Sequence, residues 1–313
     1  MIKMTAKKNL RAFKGMTVRN IKVYGKDRIA LLLSLLTQLI VLGLFLLFIK
    51  TSIMDMMNNS LGELKNLLSK SDAEAIVNAW LVAGVAGTSM VTASLNSLSV
   101  MVHDKMERID YDYQASAVKG RTVVMSYFTG AALSAFITSA ILLTAGLIFI
   151  AVSGGFFYSA WDIAALYAIV LLGSVSGSMI LMLFVSFFKK DSTLSAFGIL
   201  ISVAIGFVVG AYVPVSEFSG NVQTAVNLVP GSQITAIMRC RLMQPAIENA
   251  DKVLNGVDNH TFAKNMNETF SIPPKVFGGE MDINAMLVYS LAVIALFAVL
   301  NIVFFKISSK RKN

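Results

Sequence analysis

Charged residues in this chain fall in short clusters separated by long stretches that contain none. Six charge-free runs reach a bilayer-spanning length, roughly Ile29 to Ile49, Ala75 to Val102, Thr122 to Ala151, Ile163 to Phe188, Leu194 to Val213 and Ile283 to Phe305. About 20 apolar residues suffice to cross the hydrocarbon core as a helix, so each run predicts one transmembrane helix. The second and third runs leave room for a tilt or an interfacial turn. Ahead of the first run, Lys7, Lys8, Arg11, Lys14, Arg19 and Lys22 alternate with Leu10, Phe13, Val18 and Ile21. That spacing suits an amphipathic helix on the membrane surface, with a solvated basic tail as the alternative.

The stretch 214 to 282, between the fifth and sixth runs, divides in two. Phe218, Val222, Val226 and Val229 share one helical face, Pro230 breaks the run, and Ile234, Ile237, Met238 and Leu242 begin another. These predict external helices that re-enter the outer leaflet without crossing. From about Pro245 to Asp282 the chain is polar and predicts a small external cap, too short for a strong core of its own. The expected architecture is all-α and membrane-embedded. An interfacial segment (1–28) precedes five spanning helices (29–213) that include a loop at 103–121. Re-entrant helices and the cap (214–282) follow, and then a sixth helix with a basic tail (283–313).

Composition agrees with this reading. Of 313 residues, 56% are hydrophobic and 14% charged, whereas soluble domains carry about a quarter charged residues. A single cysteine, Cys240, excludes an internal disulfide, and with only His103 and His260 there is no Cys/His cluster for a metal. His260, near Asp258 and Glu268, reads as a surface residue. The net charge of +9 is distributed unevenly. Segments 1–28, 103–121, 189–193 and 306–313 hold 19 basic against 6 acidic residues, and the alternate segments 8 against 12. Basic residues beside membrane crossings mark the cytoplasmic side, which predicts both termini inside. The first apolar run is too long for a signal-peptide core and ends at Lys50 without a small-residue cleavage pattern, so it is expected to stay as an anchor.

The runs lack Asp, Glu, Lys, Arg and His, which argues against a proton-coupled carrier, since such carriers keep acids or histidines inside the membrane. Sodium coupling through carbonyls and hydroxyls stays open. Mild polarity remains at Gln38, at Asn96 and at scattered hydroxyls, which either bond helix to helix or line a path. Small residues at four-residue spacing (Gly173 and Gly177; Ser202, Gly206 and Gly210; Gly130, Ser134 and Thr138) predict close helix packing. The chain has no nucleophile elbow, zinc-protease motif or phosphate loop. It therefore predicts neither a catalytic residue nor a cofactor of its own. The loop from His103 to Arg121 mixes four acids and four bases with Tyr111 and Tyr113. A short helix there would offer charged and aromatic groups to a partner; the alternative is a solvated loop with weak ion pairs.

In order and spacing the whole chain resembles the membrane subunit of ABC-2 type transporters, bacterial exporters with a six-helix fold of the ABCG kind. The resemblance rests on the basic N-terminus leading through Tyr24, Lys26, Asp27 and Arg28 into the first helix, and on Asp104, Glu107, Arg108, Asp110 and Tyr111 after the second. Val213, Pro214 and Val215 at the fifth-helix exit, then Asn227, Leu228, Val229, Pro230 and Arg239 before the sixth helix, complete it. Two positions depart from the family pattern: Asp110 stands for a usual glycine, and Ser116 is followed by Ala117 where relatives have proline.

The resemblance implies a bacterial cell-membrane permease with separate cytoplasmic ATPase subunits, which would bind ATP and Mg, and with a second permease copy. It implies an ATPase-docking surface at Asp104, Glu107, Arg108, Asp110, Tyr111, Asp112 and Tyr113, and a substrate path formed by the second and fifth helices of two copies. Gln38, Asn96, Ser202 and Tyr212 are the path candidates. The expected cargo is an amphiphile, moved by alternating access; membrane lipid is a further partner and nucleic acid is not. Two other readings stay open: an ATP-independent carrier or channel, and a membrane-anchored sensor or immunity protein.

Overall fold

The computed structural model describes residues 6–62, 68–254 and 261–310. Lys3, Asp258, His260 and the last basic residues of the tail lie outside these. The described chain is mostly helical. In order it comprises α1 (Ala6–Lys26), α2 (Arg28–Leu44), a π-helical turn (Phe45–Ile49), α3 (Lys50–Leu61), α4 (Lys70–Ser97), α5 (Ser99–Met106) and α6 (Ile109–Ala115). Then come α7 (Gly120–Val152), α8 (Ala160–Val185), α9 (Asp191–Val208), α10 (Gly220–Asn227), α11 (Pro230–Leu254), α12 (Thr261–Thr269) and α13 (Ile283–Lys310). A two-stranded antiparallel hairpin pairs Lys275 with Glu280 and Val276 with Gly279.

Among the described residues six helical stretches are long and apolar enough to cross a membrane: Ser34–Asn59, Lys70–Met106, Gly120–Val152, Ala160–Val185, Asp191–Val208 and Ile283–Phe305. They correspond to the six charge-free runs. The first helical stretch extends past Lys50, where the sequence run ends, because the Lys50 ammonium meets Glu74 of α4 at 2.8 Å. The start of α4 is set by Ser69, whose hydroxyl accepts from the Asp72 amide. Ser159 and Asp162 form a reciprocal capping box that starts α8.

The centre of the bundle is α4, which packs against α7, α8, α9 and α11 and buries Trp80, Leu81, Met90 and Leu95 almost completely. An apolar helix enclosed on all sides by other helices is the expected centre of such a bundle. Gly173 and Gly177 of α8 face Met90 and Ser94, a matching pair on α4. A Cβ at Gly177 would lie 2.9 Å from the Ser94 hydroxyl, so this stripe is a helix-packing seam. Gly130, with buried Ser134 and Thr138, receives α1 at Asn20. The third stripe behaves differently. Ser202 is exposed and Gly206 faces Tyr212 of its own following turn, so these positions form no seam with another helix of this chain.

Between α9 and α13 the structure departs from the sequence reading at one point. Pro245, the expected start of the cap, lies inside a helix: α11 continues to Leu254, because Ala246, Ile247, Ala250 and Leu254 stay buried beyond it. The face shared by Phe218, Val222, Val226 and Val229 is not enclosed, with Val222 and Val229 exposed. By contrast Ile234, Ile237, Met238 and Leu242 are fully buried as α11 packs on α4, α8 and α13. The cap shares its core with the bundle: Phe262, Met266 and Phe270 are buried, and the Phe270 ring lies 6.0 Å from Trp80 of α4.

Candidate docking site at the α4–α7 connection

After a one-residue break at Leu98, α5 continues α4, so the two form one rod of about 55 Å over Lys70–Met106. At its end Glu107 and Arg108 make a sharp turn, with Arg108 in the left-handed conformation (φ 59°), and α6 leads away. The departure from a proline at the end of α6 has a local solution. Ser116 adopts an extended conformation and its hydroxyl donates to the Tyr113 carbonyl at 2.7 Å. The same oxygen accepts from the Val118 amide at 3.3 Å, which terminates a helix as a cap does.

Asp104, expected from sequence at the docking surface, is fully buried. Its carboxylate is held by both terminal nitrogens of Arg19 on α1, with Nη2 donating to Oδ1 at 2.8 Å and Nη1 bonded to Oδ2. The Tyr127 hydroxyl of α7 donates to Oδ2 at 2.5 Å. A bidentate guanidinium is the side chain best matched to a carboxylate that has left water, and Asp104 holds the Arg19 pKa above its ordinary value. Tyr113 is half-buried beside this cluster, and burial pushes its hydroxyl pKa up against the opposing effect of Arg19. Asp104 therefore fastens α1, α5 and α7 together and presents nothing to a partner.

The adjacent Lys105 extends in another direction. Its ammonium donates to the Ser186 carbonyl at 2.7 Å and the Phe188 carbonyl at 3.4 Å, satisfying carbonyls at the end of α8 as a cation at a helix C-terminus does. The Asp191 amide contacts the Met106 sulfur at 3.2 Å. The turn below α4 is thus tied to α1, α7 and the α8–α9 connection. Of the seven expected docking residues, Glu107, Arg108, Tyr111 and Asp112 are exposed, Asp110 and Tyr113 are half-buried, and Asp104 is enclosed. Four side chains, one cationic, two anionic and one aromatic, remain displayed on a braced corner.

The four path candidates are not gathered into one cavity. Gln38 donates to the Thr92 hydroxyl at 3.2 Å and faces Thr88 at 3.5 Å, and Asn96 donates to Ser34 at 3.1 Å. Both residues stitch α2 to α4. Ser202 is exposed on α9, and Tyr212 packs edge-to-face on Phe45 and Phe207, with ring centroids 5.6 and 5.0 Å away. None of them lines the apolar cavity of about 310 Å³ between α4, α8, α9 and α11.

Sequence reasoning gave no special role to Arg239, although the residue is 97% enclosed as the complement of its 3% exposure. Its Nη2 donates to the Val209 and Gly210 carbonyls at 2.8 and 2.6 Å. The guanidinium lies over Trp80, 5.6 Å from the ring centroid. Gly210, at φ 65°, ends α9 in the left-handed conformation that glycine adopts without strain. Arg239 thus locks the end of α9 to α4 and α11. In sequence Arg239 is hard to tell from its neighbour Arg241, two residues on; only its partners Val209, Gly210 and Trp80 single it out.

Among the described residues no group of three or more histidine, cysteine or acidic side chains converges as a metal site would. What the fold defines is a class: a mostly helical protein whose six long apolar helices fit a multi-pass membrane protein. In comparisons with family models, curated proteins and solved structures, nothing matches this chain.

Proposed function

We propose that this chain is the membrane-spanning permease subunit of an ATP-driven exporter of the ABC-2 type. It works as one of two permease copies, with separate cytoplasmic ATPase subunits that bind ATP and Mg. The observation that carries the reading is the braced corner at the end of the α4–α5 rod. Glu107, Arg108, Tyr111 and Asp112 are displayed there, while Asp104 and Lys105 behind them are committed to α1, α7 and α8. A partner pressing on this corner moves the central helix of the bundle as a rigid element, because little in the linkage can give. Mechanical coupling of this kind needs a stiff lever with a recognisable end.

In this reading both termini and the 103–121 connection lie on the cytoplasmic side, α1 lies along the inner surface, and α10 and α11 re-enter from outside. Apolar walls with mild hydroxyl and amide groups suit an amphiphilic cargo: a peptide, a drug or a lipid-like molecule. The test is charge reversal at the displayed corner, with Glu107→Arg and Arg108→Glu combined. The variant should insert and fold normally and lose its co-purifying ATPase. An undiminished yield of the complex would refute the assignment of the docking surface.

A further inference from the structure

Helix α1 carries seven basic residues and no acid in its 21 positions. Arg19 is committed to Asp104. The other six, Lys7, Lys8, Arg11, Lys14, Lys22 and Lys26, are exposed, and among the described residues none of them makes an ion pair. At 3.6 residues per turn they fall within an arc of about 120°, along about 29 Å of helix. The opposite side of α1 is occupied. Thr17 and Asn20 are buried there against Gly130 of α7, with Phe13 and Tyr24 half-buried beside them.

This arrangement changes how α1 can meet a membrane. An interfacial helix ordinarily sinks an apolar face into the acyl boundary, but α7 already holds that face of α1. What remains outward is a cationic stripe, with Leu10 and Val18 exposed beside and within it. Two observations select its partner. First, α1 ends at Lys26 and α2 starts at Arg28, where exposed Ile29 and Leu32 begin a charge-free run of bilayer-spanning length. The C-terminal end of the stripe is therefore held at the depth of the lipid phosphates. Second, five of the six cations are lysine. Protein interfaces are depleted in lysine and favour arginine, whereas a phosphate surface takes lysine as a point charge. Like charges crowded on one face repel one another, and anionic headgroups relieve that repulsion.

We propose that the exposed face of α1 binds the phosphates of anionic phospholipids in the leaflet beside it, by charge and not by insertion of an apolar face. The contact is made by the helix that, through Arg19, holds Asp104 at the end of the α4–α5 rod. It requires no ATPase and is the same on either side of a symmetric bilayer, so it stands or falls separately from the transport reading.

The test uses the full chain in phosphatidylcholine vesicles doped with a trace of phosphatidylglycerol or of phosphatidylcholine, each carrying the same diazirine at the headgroup end of one tail. After irradiation, adducts are mapped by mass spectrometry. On Leu10, Val18 and Ile21 the phosphatidylglycerol probe should exceed the phosphatidylcholine probe by at least about fivefold, the factor that one basic residue beside an anionic surface contributes. On Leu296 and Val299, exposed residues of α13, the two probes should label equally. Raising the salt to about 1 M, where screening acts over about 3 Å, should bring the α1 ratio down to that of α13. The combined variant Lys7→Gln, Lys8→Gln, Arg11→Gln, Lys14→Gln, Lys22→Gln and Lys26→Gln should do the same. Glutamine keeps the helix propensity of lysine and arginine, and unchanged α13 labelling reports the fold of the variant. Equal labelling of α1 by the two probes would overturn the proposal, and so would a preference that survives either the salt or the folded glutamine variant. An α1 without adducts from either probe would place the stripe in water or against a protein partner and overturn it as well.

Discussion

The Arg19–Asp104–Tyr127 cluster makes an asymmetric prediction. The two ends of the ion pair differ in exposure: the Arg19 side chain is 32% exposed and that of Asp104 is 0%. Arg19→Ala leaves a carboxylate in an enclosed site with Tyr127 as its remaining donor. Stranding a buried charge in this way costs about 3–5 kcal/mol, and the tyrosine bond brings the figure to the lower end, about 3 kcal/mol. Asp104→Ala leaves a guanidinium that already reaches water and can turn further out, so its loss is discounted to about 1–2 kcal/mol. The double variant removes both charges and should cost less than Arg19→Ala alone, a coupling that only a cycle exposes. The assay is denaturation of the purified proteins by increasing sodium dodecyl sulfate in mixed micelles, with proteolysis of α1 as a second reading. Destabilisation should fall in the order Arg19→Ala, double variant, Asp104→Ala, and α1 should become cleavable first in Arg19→Ala. Equal single losses, or a double variant equal to their sum, would refute the claim that an enclosed charge holds this corner together.

Three further predictions concern α11. Arg239→Lys should not rescue Arg239→Ala, because a point charge can neither span the Val209 and Gly210 carbonyls in the same geometry nor lie flat over Trp80; each variant should lose about 2–3 kcal/mol in the same denaturation series. Burial pushes the Cys240 thiol up to about 11. Since the thiolate is the reactive form, labelling by a maleimide should rise about tenfold between pH 8 and 9, where a solvated thiol of ordinary pKa rises only about threefold. In sealed vesicles of known orientation an impermeant reagent should reach Cys240 from the outer side alone, and labelling from the cytoplasmic side would invert the proposed topology.

Much of this architecture is legible in the sequence because each spanning helix announces itself locally, as a run without charge bounded by polar residues. The α8 packing stripe is legible for the same reason, since Gly173 and Gly177 lie one helical turn apart. Features that depend on distant partners are not. Asp104 looks like the first acid beyond a membrane helix, and its burial needs Arg19, 85 residues earlier, and Tyr127, 23 residues later. Lys50 looks like the end of a helix, yet Glu74 neutralises it and the helix runs on. Pro245 marks the start of the polar cap in the sequence, yet α11 runs through it, since the burial of Ala246, Ile247 and Ala250 outweighs the hydrogen bond it removes. Gln38 is an intermediate case: a lone amide in an apolar run leaves a helix-to-helix link and a path residue both open, and Thr88 and Thr92 supply partners for the link.

Purification from the native membrane in mild detergent, with mass spectrometry of the co-eluting chains and a nucleotide hydrolysis assay on the same fraction, tests the central claim most directly. A stoichiometric ATPase subunit with phosphate-loop motifs and measurable hydrolysis is the predicted result. A protein that elutes alone and hydrolyses nothing under several gentle conditions would contradict the account.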